Sequence, residues 1–152
     1  MMHFDIRIRQ ATFEDLDSLV SLLKLLFTIE ADFTVNDSNQ RAGLKLMLEH
    51  PDDKCILVAE KNGNLIGMCT AQLLVTTAEG GKAALIEDVV ILDSFRHQGI
   101  GQILMQNIEK WATLKGVKRL QLLADRENTP ALNFYQKQNW VKTQLICLHK
   151  KP

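Results

Sequence analysis

Residues 87–101 limit the possible folds of this chain more than any other segment of its sequence. The segment begins with the apolar run Val89 to Leu92, whose lack of alternation is typical of a strand covered on both faces. A short loop follows, and Gly99 and Gly101 stand where a helix with an apolar stripe begins. Strand, glycine loop and helix in this order predict an α/β domain.

The glycine loop has the chemistry of an anion site. Because Gly99 and Gly101 carry no Cβ atom, a ligand can approach the backbone closely there. The first N–H groups of a helix have no internal partner and lie at the positive end of the helix dipole. Arg96 can add a charge-assisted hydrogen bond. The pattern favours a phosphate or diphosphate ligand, although a purely structural helix start would have the same pattern.

Two other phosphate-binding motifs fit this segment poorly. A Walker loop needs Gly-Lys-Ser/Thr, which does not occur in the sequence. A dinucleotide fingerprint needs a third glycine at the position of Leu104. A Rossmann-like nucleotide-binding domain is therefore disfavoured, and it remains the alternative from a different class of protein.

The remaining pattern predicts one domain spanning residues 1–152, without a linker or repeat. Thr12 and Asp15 resemble a capping box before the first helix, and Asn62-Gly63 predicts a tight turn between two strands. The predicted strands are 5–9, 55–60, 65–76, 83–92, 119–124 and 141–148, and the predicted helices are 13–27, 38–49, 100–112 and a short helix that begins at Thr129.

Composition argues against several classes of function. Lysine plus arginine equals aspartate plus glutamate at 18 each, so nothing suggests a nucleic-acid partner. Residues 1–5 lack the pattern of a signal peptide, and no apolar stretch is long enough for a membrane helix, which predicts a cytoplasmic protein. The spacings of the cysteines and histidines predict no metal site, and Cys55, Cys69 and Cys147 are expected to behave as small hydrophobes in a reducing environment.

Two motifs carry a family resemblance. The segment Arg96-His97-Gln98-Gly99-Ile100-Gly101 has every fixed residue of an Arg/Gln-x-x-Gly-x-Gly/Ala signature, and the segment from Asn128 to Tyr135 follows downstream. Both resemble motifs of the GNAT N-acetyltransferase superfamily, and the order of elements is similar along nearly the whole chain. One departure is Asn139 before Trp140, where members often carry glycine; asparagine tolerates the left-handed conformation that such a turn requires.

The resemblance implies a fold and a cosubstrate. The expected fold is a mixed, mostly antiparallel sheet of six to seven strands, splayed between strands 4 and 5 and flanked by about four helices. Acetyl-CoA would lie with its pantetheine arm along strand 4 and its pyrophosphate on the glycine loop, and no metal is implied. The implied cofactor-binding residues are Val89, Val90, Ile91, Arg96, His97, Gln98, Gly99, Ile100, Gly101, Asn128 and Tyr135.

Transfer of an acetyl group to an amine requires a base or a substitute for one. An alkylamine with a pKa near ~10.4 is almost fully protonated at pH 7, and general base catalysis is typically worth about 10² to 10⁴ in rate. Glu87 is the expected base by resemblance, acting directly or through a water, unless it only binds and orients the amine. Its neighbour Asp88 would point to the opposite face of the strand unless the strand bulges there.

The departing thiolate of coenzyme A needs a proton donor. Tyr135, the only tyrosine in the chain, stands where relatives keep that acid, although it could simply pack beside Phe134. A backbone N–H of strand 4, such as that of Val89, is expected to hold the oxyanion. Asn128 is expected to bind the pantetheine arm or to cap a helix.

The acceptor is expected to be a small-molecule amine. The loop after the first helix carries Glu30, Asp32 and Phe33, whose two acids would suit a cationic amine if the loop is more than a solvated surface. The alternatives are a protein or peptide N-acetyltransferase and a non-catalytic module that binds acyl-CoA. A homodimer is compatible with such a fold.

Overall fold

The computed structural model describes residues 5–30 and 32–152. Residues 1–4, on which the expectation of no signal peptide mostly rests, lie outside the described residues. The chain forms two compact units, one ending at Gln121 and one from Leu122 to Pro152. That the whole chain acts as one domain stays a prediction.

Within the described residues, a five-stranded sheet is the centre of the fold. The strands follow one another in chain order across it, and the first four pair antiparallel with their neighbours. The strands are β1 (Ile6–Gln10), β2 (Lys54–Lys61), β3 (Asn64–Thr76), β4 (Gly81–Ile91) and β5 (Arg119–Leu122). The expectation of mostly antiparallel pairing is therefore confirmed for the first four strands.

The turn between β2 and β3 has the predicted chemistry. Asn62 and Gly63 have φ angles of 51° and 79°. Two successive left-handed residues twist a two-residue turn in the same sense as the flanking strands, and asparagine followed by glycine adopts them at the least cost. This turn fixes the register in which β2 and β3 pair.

The described residues form four α-helices, close to their predicted limits. They are α1 (Leu16–Ile29), α2 (Asp37–Leu48), α3 (Ile100–Leu114) and α4 (Thr129–Lys137). Gly116, with φ of 81°, follows the end of α3, as a left-handed residue after a helix commonly does. In the first unit α1, α2 and α3 pack on the sheet.

The predicted capping box is present, at the 3₁₀ turn of residues 13–15 that leads into α1, and an arginine extends it. The Asp15 carboxylate accepts a 2.7 Å hydrogen bond from the backbone N–H of Thr12. Both carboxylate oxygens of Asp15 also accept from the Arg9 guanidinium, at 2.8 and 2.9 Å. The same guanidinium reaches Glu60 on β2 at 3.1 Å. The network therefore joins β1, β2 and the start of α1.

The two faces of the sheet carry different helices. A cluster of buried residues that includes Leu19, Leu44, Met68 and Val90 joins α1 and α2 to one face. On the other face the Cys69 thiol lies 4.0 Å from the carbonyl oxygen of Leu104 in α3. Because Met68 and Cys69 are consecutive residues of β3, they point to opposite faces, which places α3 opposite α1 and α2.

β5 is much shorter than its neighbour β4. It has four residues where β4 has eleven, and it begins beside the start of β4, where the Lys118 N–H donates to the Lys82 carbonyl oxygen at 2.8 Å. A strand of four residues spans about 13 Å. Within the first unit the second half of β4, residues 87–91, is therefore paired with β3 on one side and is not reached by β5 on the other.

The expected sixth and seventh strands are not present in the described part of the chain. Residues 141–148 form no strand, and Val141, Leu145 and Leu148 are each more than 80% exposed. The Leu145 N–H donates to the Thr143 hydroxyl at 3.3 Å, which is a local turn contact and not a ladder bond. Strand propensity without a neighbouring edge does not form a ladder, so the predicted strand 141–148 and the count of six to seven are wrong.

No described helix has both the length and the apolar character needed to cross a bilayer.

Two of the three cysteines are buried. Cys55 and Cys69 lie in the core, and burial raises the pKa of the Cys55 thiol to about 12. Cys147 is exposed, because it lies in the segment that forms no strand, so the expectation that it packs as a small hydrophobe is wrong.

Candidate active site

A bulge interrupts β4 at the two adjacent acids. Met68 pairs with Val90 and Thr70 pairs with Glu87, so the register shifts by one residue between these pairs. The extra residue lies opposite the stretch between Met68 and Thr70, and Asp88 there has φ of 52°. The bulge is the exception under which two consecutive acids can share one face of a strand.

Both acids lie on the same face of the sheet. Thr70 and Glu87 are directly paired, so their side chains point to the same side. The Thr70 hydroxyl also donates a 3.0 Å hydrogen bond to Oδ2 of Asp88. Asp88 therefore joins Glu87 on the Thr70 face, and the expectation that at most one acid faces this side does not apply.

Asp88 is the acid whose surroundings most favour holding a proton. Burial, followed by the nearby charge of Glu87, raises the pKa of Asp88 to about 6, although the hydrogen bond from Thr70 acts in the opposite direction. A carboxyl group with that pKa takes up and releases a proton close to neutral pH. The expected base, Glu87, thus has a neighbour with the chemistry of a proton acceptor.

The glycine loop follows β4 through a single turn of 3₁₀ helix at residues 93–95. The Arg96 side chain folds back on this turn, with Nε donating to the Ile91 carbonyl oxygen at 3.1 Å and Nη1 lying 2.8 Å from Asp93. His97 is exposed and has φ of 61°. Arg96 therefore ties the end of β4 to the loop while its side chain stays 38% exposed.

α3 begins without a side-chain cap. Gly99, with φ of 81°, is the N-cap residue, and its carbonyl oxygen accepts the first helical bond from Ile103 at 3.2 Å. The N–H groups of the first helical residues, beginning with Ile100 and Gly101, precede that bond and have no partner within the helix. Gln98 uses its side-chain amide on the Ser94 carbonyl oxygen, at 3.3 Å. An anion site would use these N–H groups; Ile100 is buried, and anion binding at this point stays a prediction.

The predicted acceptor loop has one aromatic anchor. The Phe33 ring packs on Phe27 of α1 with centroids 5.4 Å apart, and 45% of Phe33 is exposed. Glu30 caps α1 through its backbone N–H, which donates to the Leu26 carbonyl oxygen at 3.0 Å. Asp32 is exposed beside it. The loop offers an aromatic surface and carboxylates, and its part in acceptor binding stays a prediction.

The second unit carries the other predicted motif. Oδ1 of Asn128 accepts a 3.2 Å hydrogen bond from the Ala131 N–H, so this side chain caps α4. Tyr135 packs edge-on against Phe134 and Trp140, with ring centroids 5.2 and 6.3 Å away. Asn139 has φ of 70°, the left-handed conformation expected at this position. The predicted catalytic and cofactor-binding roles of Asn128 and Tyr135 stay predictions.

Thr70 is the residue that the sequence analysis missed. It is 2% exposed and stands in the otherwise apolar run Leu65 to Ala71. A buried hydroxyl requires a hydrogen-bond partner, and that requirement was the available signal. Its partner could not be named, because the bulge that brings Asp88 to it is a property of strand pairing.

Comparison with known proteins identifies the family. Residues 16–140 match the model of the acetyltransferase (GNAT) family. An aminoglycoside N(6')-acetyltransferase type 1 of Salmonella typhimurium is 24% identical over 147 residues, which cover 95% of this chain and 97% of that protein. An uncharacterised N-acetyltransferase of Archaeoglobus fulgidus is 26% identical and covers 87% of this chain and 90% of its own length.

Solved structures share the fold. The chain superposes on the aminoglycoside acetyltransferase AAC(6')-Iy in complex with a bisubstrate analogue, CoA-S-monomethyl-acetylneamine, with a TM-score of 0.83, 23% identity and 99% coverage of both chains. A possible acetyltransferase from Clostridium difficile gives a TM-score of 0.84 at 18% identity, with 97% of both chains covered. Together with the family match over most of the chain, these results show that the chain belongs to the acetyltransferase (GNAT) family and is an enzyme of that type.

Proposed function

We propose that this enzyme transfers the acetyl group of acetyl-CoA to a primary amine of a small molecule, by direct attack within a ternary complex. The observation that supports this most strongly is the combination on β4 of a bulge, a half-strand that β5 does not reach and two acids on one face. The similarity to aminoglycoside N(6')-acetyltransferases supports a small polyamine-like acceptor. The proposed setting is the cytoplasm, and the proposed assembly is a homodimer.

Acetyl-CoA would bind along β4 and the glycine loop. The backbone of Val89, Val90 and Ile91 would pair with the amide groups of the pantetheine arm, as a neighbouring strand would. The uncapped start of α3 supports the placement of the pyrophosphate there, since its first N–H groups have no helical partner. The side chains and backbone of residues 96–101 would surround the phosphates. Asn128 would bind the pantetheine arm.

Arg96 would act chiefly through the shape of this loop. Its bonds to the Ile91 carbonyl oxygen and to Asp93 hold the end of β4 against the loop, and its positive charge remains partly exposed. Both effects favour an anion. His97, which is exposed, would contact the cofactor and take no part in the chemistry.

The acceptor amine would approach β4 from the face that carries the two acids. Glu87 and Asp88 attract a protonated amine, and Glu30, Asp32 and Phe33 would contact the rest of the acceptor. Once the ammonium group has given a proton to one of these carboxylates, its nitrogen attacks the thioester carbonyl carbon. The Val89 N–H would hold the oxyanion, and the C–S bond then breaks. Tyr135 would donate its phenolic proton to the departing thiolate.

Binding measurements distinguish this function from a nucleotide-binding domain. Isothermal titration calorimetry should show saturable binding of acetyl-CoA and no comparable binding of NAD or ATP. Tighter binding of NAD or ATP would overturn the proposal.

A Tyr135→Phe variant separates the enzyme from a module that only binds acyl-CoA. The variant should bind acetyl-CoA as the unaltered protein does and turn over at least about tenfold more slowly. Unchanged turnover would remove the role of Tyr135 as the acid. Binding of acetyl-CoA with no turnover in the unaltered protein would favour the non-catalytic module.

A further inference from the structure

Thr70 and Asp88 form a buried polar pair that the proposed mechanism leaves unexplained. Thr70 and Thr76 are the buried polar residues of the described part of the chain, and Thr70 is 2% exposed. Its hydroxyl donates to Oδ2 of Asp88 at 3.0 Å, across the bulge in β4. Asp88 holds a left-handed backbone conformation, with φ of 52°, which costs free energy in a residue other than glycine.

The bulge gives Asp88 and Glu87 different surroundings on the same face. Glu87 is paired with Thr70 in the ladder. Asp88 lies in the bulge instead, where its carboxylate accepts the hydrogen bond from the Thr70 hydroxyl. A buried carboxylate beside another negative charge takes up a proton at a higher pH than a free one does. Asp88 is in that position, since burial is the largest cause that raises its pKa and the charge of Glu87 is the second.

We infer that Asp88, oriented by Thr70, takes the proton from the acceptor's ammonium group, while Glu87 holds that group in place by its charge. The inference rests on the proposed function and assigns the two acids separate roles. Asp88 would be the catalytic residue, and Thr70 would be a positioning residue that acts through it.

The protons balance over one turnover. Asp88 takes one of the three protons of the ammonium group, which leaves a neutral amine that attacks the thioester. A second proton leaves nitrogen once the C–N bond has formed and replaces the one that Tyr135 gives to the thiolate. The third stays on the amide. Asp88 then releases its proton to solvent, so that one proton is set free for each acetyl group transferred.

Few other charges act on Asp88 within the first unit. On α1, which packs against β4, the ionisable side chains Asp17 and Lys24 are both exposed to solvent. The Cys69 thiol on β3 points to the opposite face; burial raises its pKa, and the charges of Cys55 and Asp88 raise it further, so it stays neutral near pH 7. α3 lies on that opposite face too, with its ionisable residues in its second half. Glu87 is therefore the charge that matters most for the ionisation of Asp88.

The pH dependence of kcat/KM tests the inference. In the unaltered protein kcat/KM should rise with pH and level off above an apparent pKa of about 6, because the ionised form of Asp88 is the active one. Thr70→Val removes a hydrogen-bond donor to the carboxylate. It should therefore shift this rising limb of the pH profile to a higher apparent pKa, by about one pH unit. Thr70→Ser keeps the donor and should restore the limb. Thr76→Val, on the same strand, should leave it unchanged.

The two acids should respond in opposite ways. Glu87→Gln removes the neighbouring negative charge and should move the limb down, with a higher KM for the amine because the cation is held less well. Asp88→Asn should abolish the limb and lower kcat by about 10² to 10⁴. If Glu87 were the base, Glu87→Gln would abolish the limb and Asp88→Asn would only move it.

A titration without turnover distinguishes failure of this inference from failure of the proposed function. ¹³C NMR of aspartate carboxyl groups should show one signal titrating near pH 6 that is absent in Asp88→Asn and moves up in Thr70→Val. If no amine is acetylated by the unaltered protein, the proposed function fails and the inference fails with it. If turnover occurs but the limb persists in Asp88→Asn, or moves no more in Thr70→Val than in Thr76→Val, the inference alone is overturned.

Discussion

Gly67 on β3 lies so close to Ile91 on β4 that a Cβ atom added to it would be 2.6 Å from Cδ1 of Ile91. The same atom would be 3.1 Å from the Val90 carbonyl oxygen, which belongs to the backbone and cannot rotate away. The glycine thus allows β3 to pack against the part of β4 proposed to bind the pantetheine arm. Its role is steric, since its φ angle is not in the left-handed region.

Gly67→Ala should therefore lower the free energy of unfolding by about 1 to 3 kcal/mol, as overpacking of a core does. It should also weaken acetyl-CoA binding, because β4 must shift. Gly43→Ala is the matched control: an added Cβ there meets nothing within 4 Å, and the change should stabilise α2 by about 0.5 to 1 kcal/mol. Urea denaturation measures both, and equal effects would contradict the steric account.

The buried acid Asp88 should make stability depend on pH. Its folded-state pKa of about 6 exceeds the ordinary value of 3.8, so the folded protein binds the proton more tightly than the unfolded chain does. Its contribution to stability is full below about pH 4 and is lost as the pH rises through about 6. At pH 7 the ionised carboxylate should cost up to about 3 kcal/mol.

Asp88→Asn removes that cost while keeping a residue that tolerates positive φ. The variant should be more stable than the unaltered protein at pH 7 to 8, and the difference should shrink toward pH 4. Asp52→Asn, at an exposed position, should show no such dependence. A difference for Asp88→Asn that stays constant with pH would contradict the assignment. Thermal unfolding monitored by circular dichroism is the measurement.

Asp15 should have the opposite dependence on pH. Its hydrogen bonds from Arg9 hold the pKa of its carboxyl group below the ordinary range, so its contribution to stability is present above pH 3.8 and is lost as the pH falls through the lowered pKa. Asp15→Asn should cost about 1 to 2 kcal/mol at pH 7, since a cap and a two-bond ion pair are weakened together. Asp17→Asn, at an exposed pair with Arg41, should change little. Equal losses of stability in Asp15→Asn and Asp17→Asn would contradict the stabilising role of the network around Arg9.

Variants of the two glycines that flank α3 should distinguish an effect on stability from an effect on cofactor binding. Gly99 at its start and Gly116 after its end both have φ of 81°. Replacement of either by alanine should destabilise the fold by about 1 to 2 kcal/mol, because the left-handed conformation is higher in free energy for alanine than for glycine. Gly99→Ala should also weaken acetyl-CoA binding about tenfold, whereas Gly116→Ala should not. Calorimetry checks this, and a similar loss of affinity in both variants would rule out a diphosphate at the start of α3.

Most elements of the fold could be predicted because their signals are local. Asn62-Gly63 needs only its own backbone preferences to form a turn, and the apolar periodicity of α3 and the capping residues Thr12 and Asp15 act within a few positions. The motif at the start of α3 could be predicted for the same reason. In each case the residues that carry the signal also make the contact.

Features that depend on distant partners could not be predicted. The segment 141–148 has strand propensity, but a strand requires an edge to pair with, and the sequence does not say whether one is available. The bulge at Asp88 arises from the register between β3 and β4. Its consequences, two acids on one face and the bond from Thr70, follow from that register and not from the spacing of residues along the chain.

The most direct test of the central claim is acetyl transfer itself. The purified protein would be incubated with acetyl-CoA and a panel of small amines, including amino sugars such as neamine, while free thiol is followed over time and the products are analysed by mass spectrometry. We expect amine-dependent thiol release, with the product heavier by one acetyl group on a primary amine. Release that does not depend on the amine, or no acetylated product with any amine of the panel, would contradict the account.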